Sequence, residues 1–153
     1  MAKKRISKKR DSSILGRRIT GSAEETLRLG AEFAKKLKQG DIVFLKGKLG
    51  SGKTTFVKGS AKGFGVRGLV RSSSFILVSE YKGRRGRIYH IDLYRLKGNR
   101  DFENLGLEEF LFGEGICFVE WADRLDEIPS NYGYIVKFKW LGDNKREIKI
   151  KRI

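Results

Sequence analysis

The chain has 153 residues, and its 34 Lys and Arg against 18 Asp and Glu give a formal net charge of +16. That length sets the expectation of one domain with a real core, and the charge points to contact with a polyanion, either a phosphate backbone or an anionic membrane, or else serves solubility alone. One cysteine excludes an internal disulfide, and the absence of a long apolar run gives the expectation of no signal peptide, no membrane span and a cytoplasmic protein.

Residues 1–13 carry six Lys or Arg and one Asp, and read as a disordered basic arm. It is either a nucleic-acid-contacting tail or a solvated extension. Residues 14–153 read as one domain. Ile14 to Thr20 suits an edge strand. Ser22-Ala23-Glu24-Glu25 is a capping box, and Leu27, Ala31, Ala34 and Leu37, with Phe33 alongside, recur at helical spacing up to a stop at Gly40.

Ile42-Val43-Phe44-Leu45 is a short buried strand, and Gly47-Lys48-Leu49-Gly50-Ser51-Gly52-Lys53-Thr54 then fits G-x-x-x-x-G-K-[ST]. The spacing has a chemical reason. Glycines let successive backbone N–H groups face one phosphate, Lys53 adds charge over the β and γ oxygens, and Thr54 offers a hydroxyl to Mg²⁺. A helix beginning near Lys53 turns its positive end to the same anion. The residue pattern alone also suits a Gly-rich turn in a basic protein; the strand before it and the helix after it favour a phosphate loop.

Ser72-Ser73-Ser74-Phe75 falls where phosphate-loop enzymes place a γ-phosphate-sensing switch, or is an ordinary Ser-rich loop. Ile76–Tyr81 and Ile88–Tyr94 read as a hairpin with a basic tip at Arg84, Arg85 and Arg87. Leu105–Leu111 suits a short helix. A strand runs from Gly115 to Glu120, with Cys117 as a buried small hydrophobe. Pro129 marks a connection. Tyr134, Val136, Phe138 and Trp140, then Ile148 and Ile150, alternate with lysines as a C-terminal hairpin. The sum is an α/β three-layer P-loop NTPase-like domain with a mixed sheet and antiparallel hairpins.

Two carboxylates end apolar runs, Asp92 and Glu120, where an open α/β sheet carries its site. Facing Lys53 and Thr54, they would organise metal and water. His90, the only histidine, reads as a hydrogen-bonded strand residue rather than a base. Trp121 packs, or stacks on a partner or base. The nearest string to a guanine-binding motif, Asn144-Lys145-Arg146-Glu147, lacks the Asp, which favours ATP over GTP.

Five strings together resemble the TsaE (YjeE) family. They are the phosphate loop, Ser72-Ser73-Ser74-Phe75 with Glu80-Tyr81, Tyr89-His90-Ile91-Asp92-Leu93-Tyr94-Arg95-Leu96, Leu105–Leu111, and Val119-Glu120-Trp121-Ala122-Asp123-Arg124-Leu125. The resemblance spans roughly residues 19 to 150. It implies an ATP- and Mg²⁺-dependent, partner-stimulated ATPase that supports threonylcarbamoylation of the adenosine next to the anticodon in tRNAs reading ANN codons. It also implies docking on the TsaB–TsaD pair. Carried over, Leu49, Gly50, Ser51, Gly52, Lys53, Thr54 and Thr55 bind phosphates, Thr54 and Glu120 hold Mg²⁺, and Asp92 sits beside metal and water. Ser72, Ser74 and Phe75 form the switch, and Trp121 matches the family tryptophan. The family's switch usually reads Ser-Pro-Thr-Phe; here Ser73 and Ser74 replace Pro and Thr, and losing a fixed φ sets the expectation of a more mobile loop. Two rivals stand beside this reading: a small-molecule P-loop kinase with an arginine lid on the 84–87 tip, and an RNA-binding module with a secondary ATP site, whose tRNA contact would use the basic surface and arm.

Overall fold

The structure is a computed structural model that describes residues 14–68, 78–97, 99–128 and 133–153. The basic arm 1–13, the switch residues Ser72, Ser74 and Phe75 and the connection at Pro129 lie outside the described residues.

Seven strands form one mixed sheet in the order β1-β7-β6-β2-β5-β4-β3. They are β1 Gly16–Thr20, β2 Ile42–Lys46, β3 Val78–Gly83, β4 Gly86–Asp92, β5 Ile116–Glu120, β6 Gly133–Gly142 and β7 Lys145–Arg152. β2 lies parallel to β5 and β6, and β5 parallel to β4; β3–β4, β6–β7 and β1–β7 are antiparallel. β1 is an edge strand, as the sequence suggests.

Strand alternation sorts the core into two layers. Val43, Leu45, Ile116 and Phe118 face α1 (Ala23–Ala34) and α2 (Lys53–Gly63), together with Phe33, Phe56 and Val57. Ile42, Phe44, Cys117 and Val119 face the other way, against Phe102, Leu107 and Leu111 around α3 (Asn99–Asn104) and α4 (Glu108–Leu111). Burial pushes the Cys117 thiol up to about 12, so it behaves as a small apolar group.

Ser22 caps α1 by accepting from Glu25 N–H at 3.1 Å, and the Glu25 carboxylate reaches back to Gly21 N–H at 2.6 Å. The buried stripe of α1 is Thr26, Leu29, Gly30, Phe33 and Ala34. Leu27 and Ala31, assigned to that stripe from spacing, are only half-buried. Their carbonyls instead meet α2: a Cβ on Gly59 would collide with the Leu27 carbonyl, and one on Gly63 would sit 2.6 Å from that of Ala31. The helix ends at Ala34, before the expected stop at Gly40.

Two further expectations shift. The expected helix Leu105–Leu111 is split by Gly106 at φ +66 into α3, which begins earlier at Asn99, and the single turn of α4. The β3–β4 hairpin runs closer to its tip than expected, pairing Gly83 with Gly86 around Arg84 and Arg85.

Helix propensity alone makes Gly59→Ala stabilising by about 1 kcal/mol. The α1–α2 contact reverses that sign. Gly59→Ala is expected to cost about 1–3 kcal/mol through overpacking, read as a fall of several degrees in the thermal midpoint. An unchanged or raised midpoint would refute the close helix contact.

Candidate functional site

The site forms where the parallel strands end. Register pairs Leu45 with Glu120 and Asp92 with Glu120, so three neighbouring strands deliver the phosphate loop and both carboxylates to one edge. Asp92 shares its sheet face with Ile88 and His90, and Glu120 shares its face with Phe118. This is the face that α2 covers.

The loop turns through glycines at left-handed φ: Gly50 at +77 and Gly52 at +106. Gly52 immediately precedes α2, so the first backbone N–H groups of the helix open toward the loop. Leu49 is 83% exposed at the tip, which leaves its backbone as its contribution. Ser51 is buried with its Oγ unpaired among the described residues. Thr54 and Thr55 open the helix. The Lys53 ammonium curls back to donate to the carbonyls of Gly47 and Lys48, the latter at 3.0 Å.

Glu120 is the hub. Its Oε1 accepts from Thr54 Oγ1 at 2.8 Å, and its Oε2 meets Nε2 of the fully buried His90. For that contact Nε2 carries the proton and donates. His90 Nδ1 has no partner among the described residues. Burial pushes the Lys53 pKa below its usual value, opposed by Glu120, Asp123 and Asp92. Burial also pushes the Asp92 carboxyl up, against the Tyr94 N–H that donates to its Oδ1 at 2.9 Å.

Trp121 follows Glu120 with φ +59 and ψ +40, a left-handed backbone that is strained for a bulky residue. That turn sets Lys53 Nζ 3.8 Å from the indole centroid, with the Tyr94 ring 4.9 Å away on the same indole. From β7, Arg146 donates to the Gly50 carbonyl at 3.3 Å, and its Cδ would lie 2.8 Å from a Cβ on Gly52. Among the described residues, no group of three or more His, Cys, Asp or Glu forms a metal cage.

Lys53, Thr54, Glu120, Trp121 and Asp92 therefore share the end of the sheet carrying the phosphate loop. The Arg84–Arg87 tip does not join them. It closes the opposite end of β4 from Asp92, and Arg85 instead donates to the carbonyls of Ala34, the last residue of α1, and of Leu37 just after it, at 2.9 and 3.2 Å. The arginine lid is excluded by strand direction. His90 is the hydrogen-bonded strand residue that the sequence suggests, but its partner Glu120 was missed, as was the contact of Arg146. His90 had a signal, since it shares parity with Asp92; Arg146 had none, because only the fold brings β7 to residues 50–52.

The family model described as "Threonylcarbamoyl adenosine biosynthesis protein TsaE" matches residues 20–148. The chain belongs to the TsaE family. The TsaE of Bacillus subtilis is 42% identical over 130 residues, covering 84% of this chain and 80% of that protein. That of Aquifex aeolicus is 43% identical over 136 residues, covering 88% and 94%. The crystal structure of Bacillus subtilis YdiB superposes with a TM-score of 0.66 at 37% identity, covering 86% of this chain and 81% of that one. The fold is thus P-loop NTPase-like, and the chain's process is tRNA threonylcarbamoyladenosine biosynthesis. No helix among the described residues is long and apolar enough to cross a membrane.

A buried carboxyl whose pKa is raised favours folding in its protonated form. The stability it gives is full below its unfolded pKa and is lost as pH rises through the folded one. Asp92→Asn, which keeps the acceptor for Tyr94 N–H, is expected to raise the thermal midpoint at pH 7. The gain should shrink as pH falls toward 4. A midpoint lowered at pH 7 would contradict the strain assigned to Asp92.

Proposed function

We propose that this chain binds Mg²⁺·ATP in the 47–54 loop, hydrolyses it slowly, and acts through nucleotide state on the TsaB–TsaD complex in the cytoplasm. One observation carries the reading. The Thr54–Glu120–His90 chain fixes a hydroxyl and a carboxylate beside the loop that presents Lys53. Two oxygen donors without a cage suit Mg²⁺, which keeps several of its waters. Held there by Thr54 and Glu120, the ion would supply positive charge that offsets the charge developing on the phosphates.

The protein's part follows from its residues. Backbone N–H groups of Leu49 to Thr55 cradle the phosphates, and Lys53 exchanges its loop carbonyls for phosphate oxygens. Thr54 and Glu120 hold the metal, and His90 keeps Glu120 aimed. Asp92, whose raised pKa makes it a better base than an ordinary carboxylate, accepts the proton of the attacking water. The water oxygen bonds to the γ-phosphorus while the bridging oxygen leaves with ADP. Trp121, stacked under Lys53, contacts the nucleotide or a partner. Ser72, Ser74 and Phe75 read the γ-phosphate. A partner completing the site would supply the rate that the chain alone lacks.

Lys53→Ala is expected to abolish ATP hydrolysis; full retained activity would overturn the reading. His90→Asn is expected to raise the Mg²⁺ concentration for half-maximal activity about 10–100-fold, as for other residues that orient a metal ligand. Nucleotide binding measured in EDTA should stay unchanged in that variant. Loss of both together would mean that His90 only supports the fold.

A further inference from the structure

The charge of this protein is not spread evenly, and the strand register shows where it gathers. Lys46 on β2 pairs with Lys137 on β6, Lys137 with Lys149 on β7, and Lys149 with Arg17 on β1. Four cations thus lie in one row across four adjacent strands. Strands sit about 4.8 Å apart, so the row spans about 14 Å. Lys139 and Lys151 flank it on the same face, two residues along their strands. All of these except the half-buried Lys46 are exposed.

Glu147 is the acid of this face. It pairs with Arg17 at 2.7 Å and Lys149 at 3.5 Å. Lys46, Lys137, Lys139 and Lys151 have no ion pair among the described residues. On the opposite face α1 mixes its signs, with Glu24, Glu25 and Glu32 beside Arg28, while α2 exposes Lys58 and Lys62 but no row of cations across neighbouring strands. The sheet face below α3 and α4 is covered at β2, β5 and β4, whereas the β6-β7-β1 part presents these lysines to solvent.

Like charges directly opposite each other in a sheet oppose folding. The arrangement becomes favourable against a line of closely spaced negative charges, which neutralises adjacent cations together and releases its own counterions. We infer that the β2-β6-β7-β1 face is a docking surface for an RNA phosphate backbone, with the Lys46–Lys137–Lys149–Arg17 row as its centre. The row begins one residue before the phosphate loop, so RNA lying on it borders the nucleotide site. A chain that works in tRNA modification meets such a backbone. The inference does not depend on ATP hydrolysis.

The test is binding of an unmodified tRNA transcript to full-length protein across a salt series, with the 1–13 arm present throughout. Lys137→Gln/Lys149→Gln is compared with Lys35→Gln/Lys58→Gln, which removes the same charge from exposed positions just after α1 and on α2. The sheet variant is expected to lose affinity about tenfold, and its slope of log affinity against log salt should shrink by about 1 per lysine. The helix variant should lose much less. The sheet variant should melt no lower than wild type, because opposed like charges are gone; Lys137→Gln alone serves if the pair does not fold. Equal losses in the two variants, no loss in either, or binding to phosphatidylserine vesicles with none to tRNA would each overturn the inference.

Discussion

The site depends on a buried carboxylate that is satisfied at both oxygens. Glu120 is 2% exposed, deep enough that an unpartnered charge would be heavily penalised. Thr54 and His90 remove that penalty from opposite sides, one from the helix after the phosphate loop and one from the neighbouring strand. The three elements can meet only because β2, β5 and β4 run parallel and end together. Any slip of register by one residue would turn Glu120 to the other face of the sheet. The same register that builds the core therefore sets the chemistry.

Close approach elsewhere keeps that edge rigid. The glycines of α2 let α1 lie against its backbone, which fixes the helix whose first turn carries Lys53 and Thr54. At this edge the backbone is strained at the left-handed Trp121 that follows Glu120. Its indole holds the Lys53 ammonium from one side while loop carbonyls hold it from the other. Destabilising features, namely a buried lysine, a carboxyl pushed toward protonation and a strained tryptophan, gather around one loop. That is the pattern of a site kept ready for a charged ligand.

Much of this was legible in the residues. The loop pattern, the two strand-end acids and the C-terminal hairpin follow from local spacing, and the structure brings Asp92 and Glu120 to the edge that carries Lys53 and Thr54, as their place at the ends of apolar strands suggests. What escaped was set by tertiary register. His90 reads locally as a strand residue, and only the pairing of β4 with β5 turns its ring onto Glu120. Arg146 lies 96 residues from its partner Gly50. The arginine tip looked available for a lid because sequence does not show which end of a hairpin faces the site. The rotation of the α1 stripe from Leu27 and Ala31 toward Leu29 and Gly30 reflects a helix packed between a sheet and a second helix, where two faces rather than one are covered.

The most direct test of the central claim is calorimetric titration of a non-hydrolysable ATP analogue into wild-type protein and Thr54→Ala, each with Mg²⁺ and with EDTA. The account predicts one site per chain in wild type, markedly tightened by Mg²⁺. In Thr54→Ala the metal should confer little of that tightening, while binding in EDTA persists. Binding that ignores Mg²⁺ in wild type, or a metal effect untouched by removal of the Thr54 hydroxyl, would contradict the assignment of Thr54 and Glu120 as the pair that holds the ion.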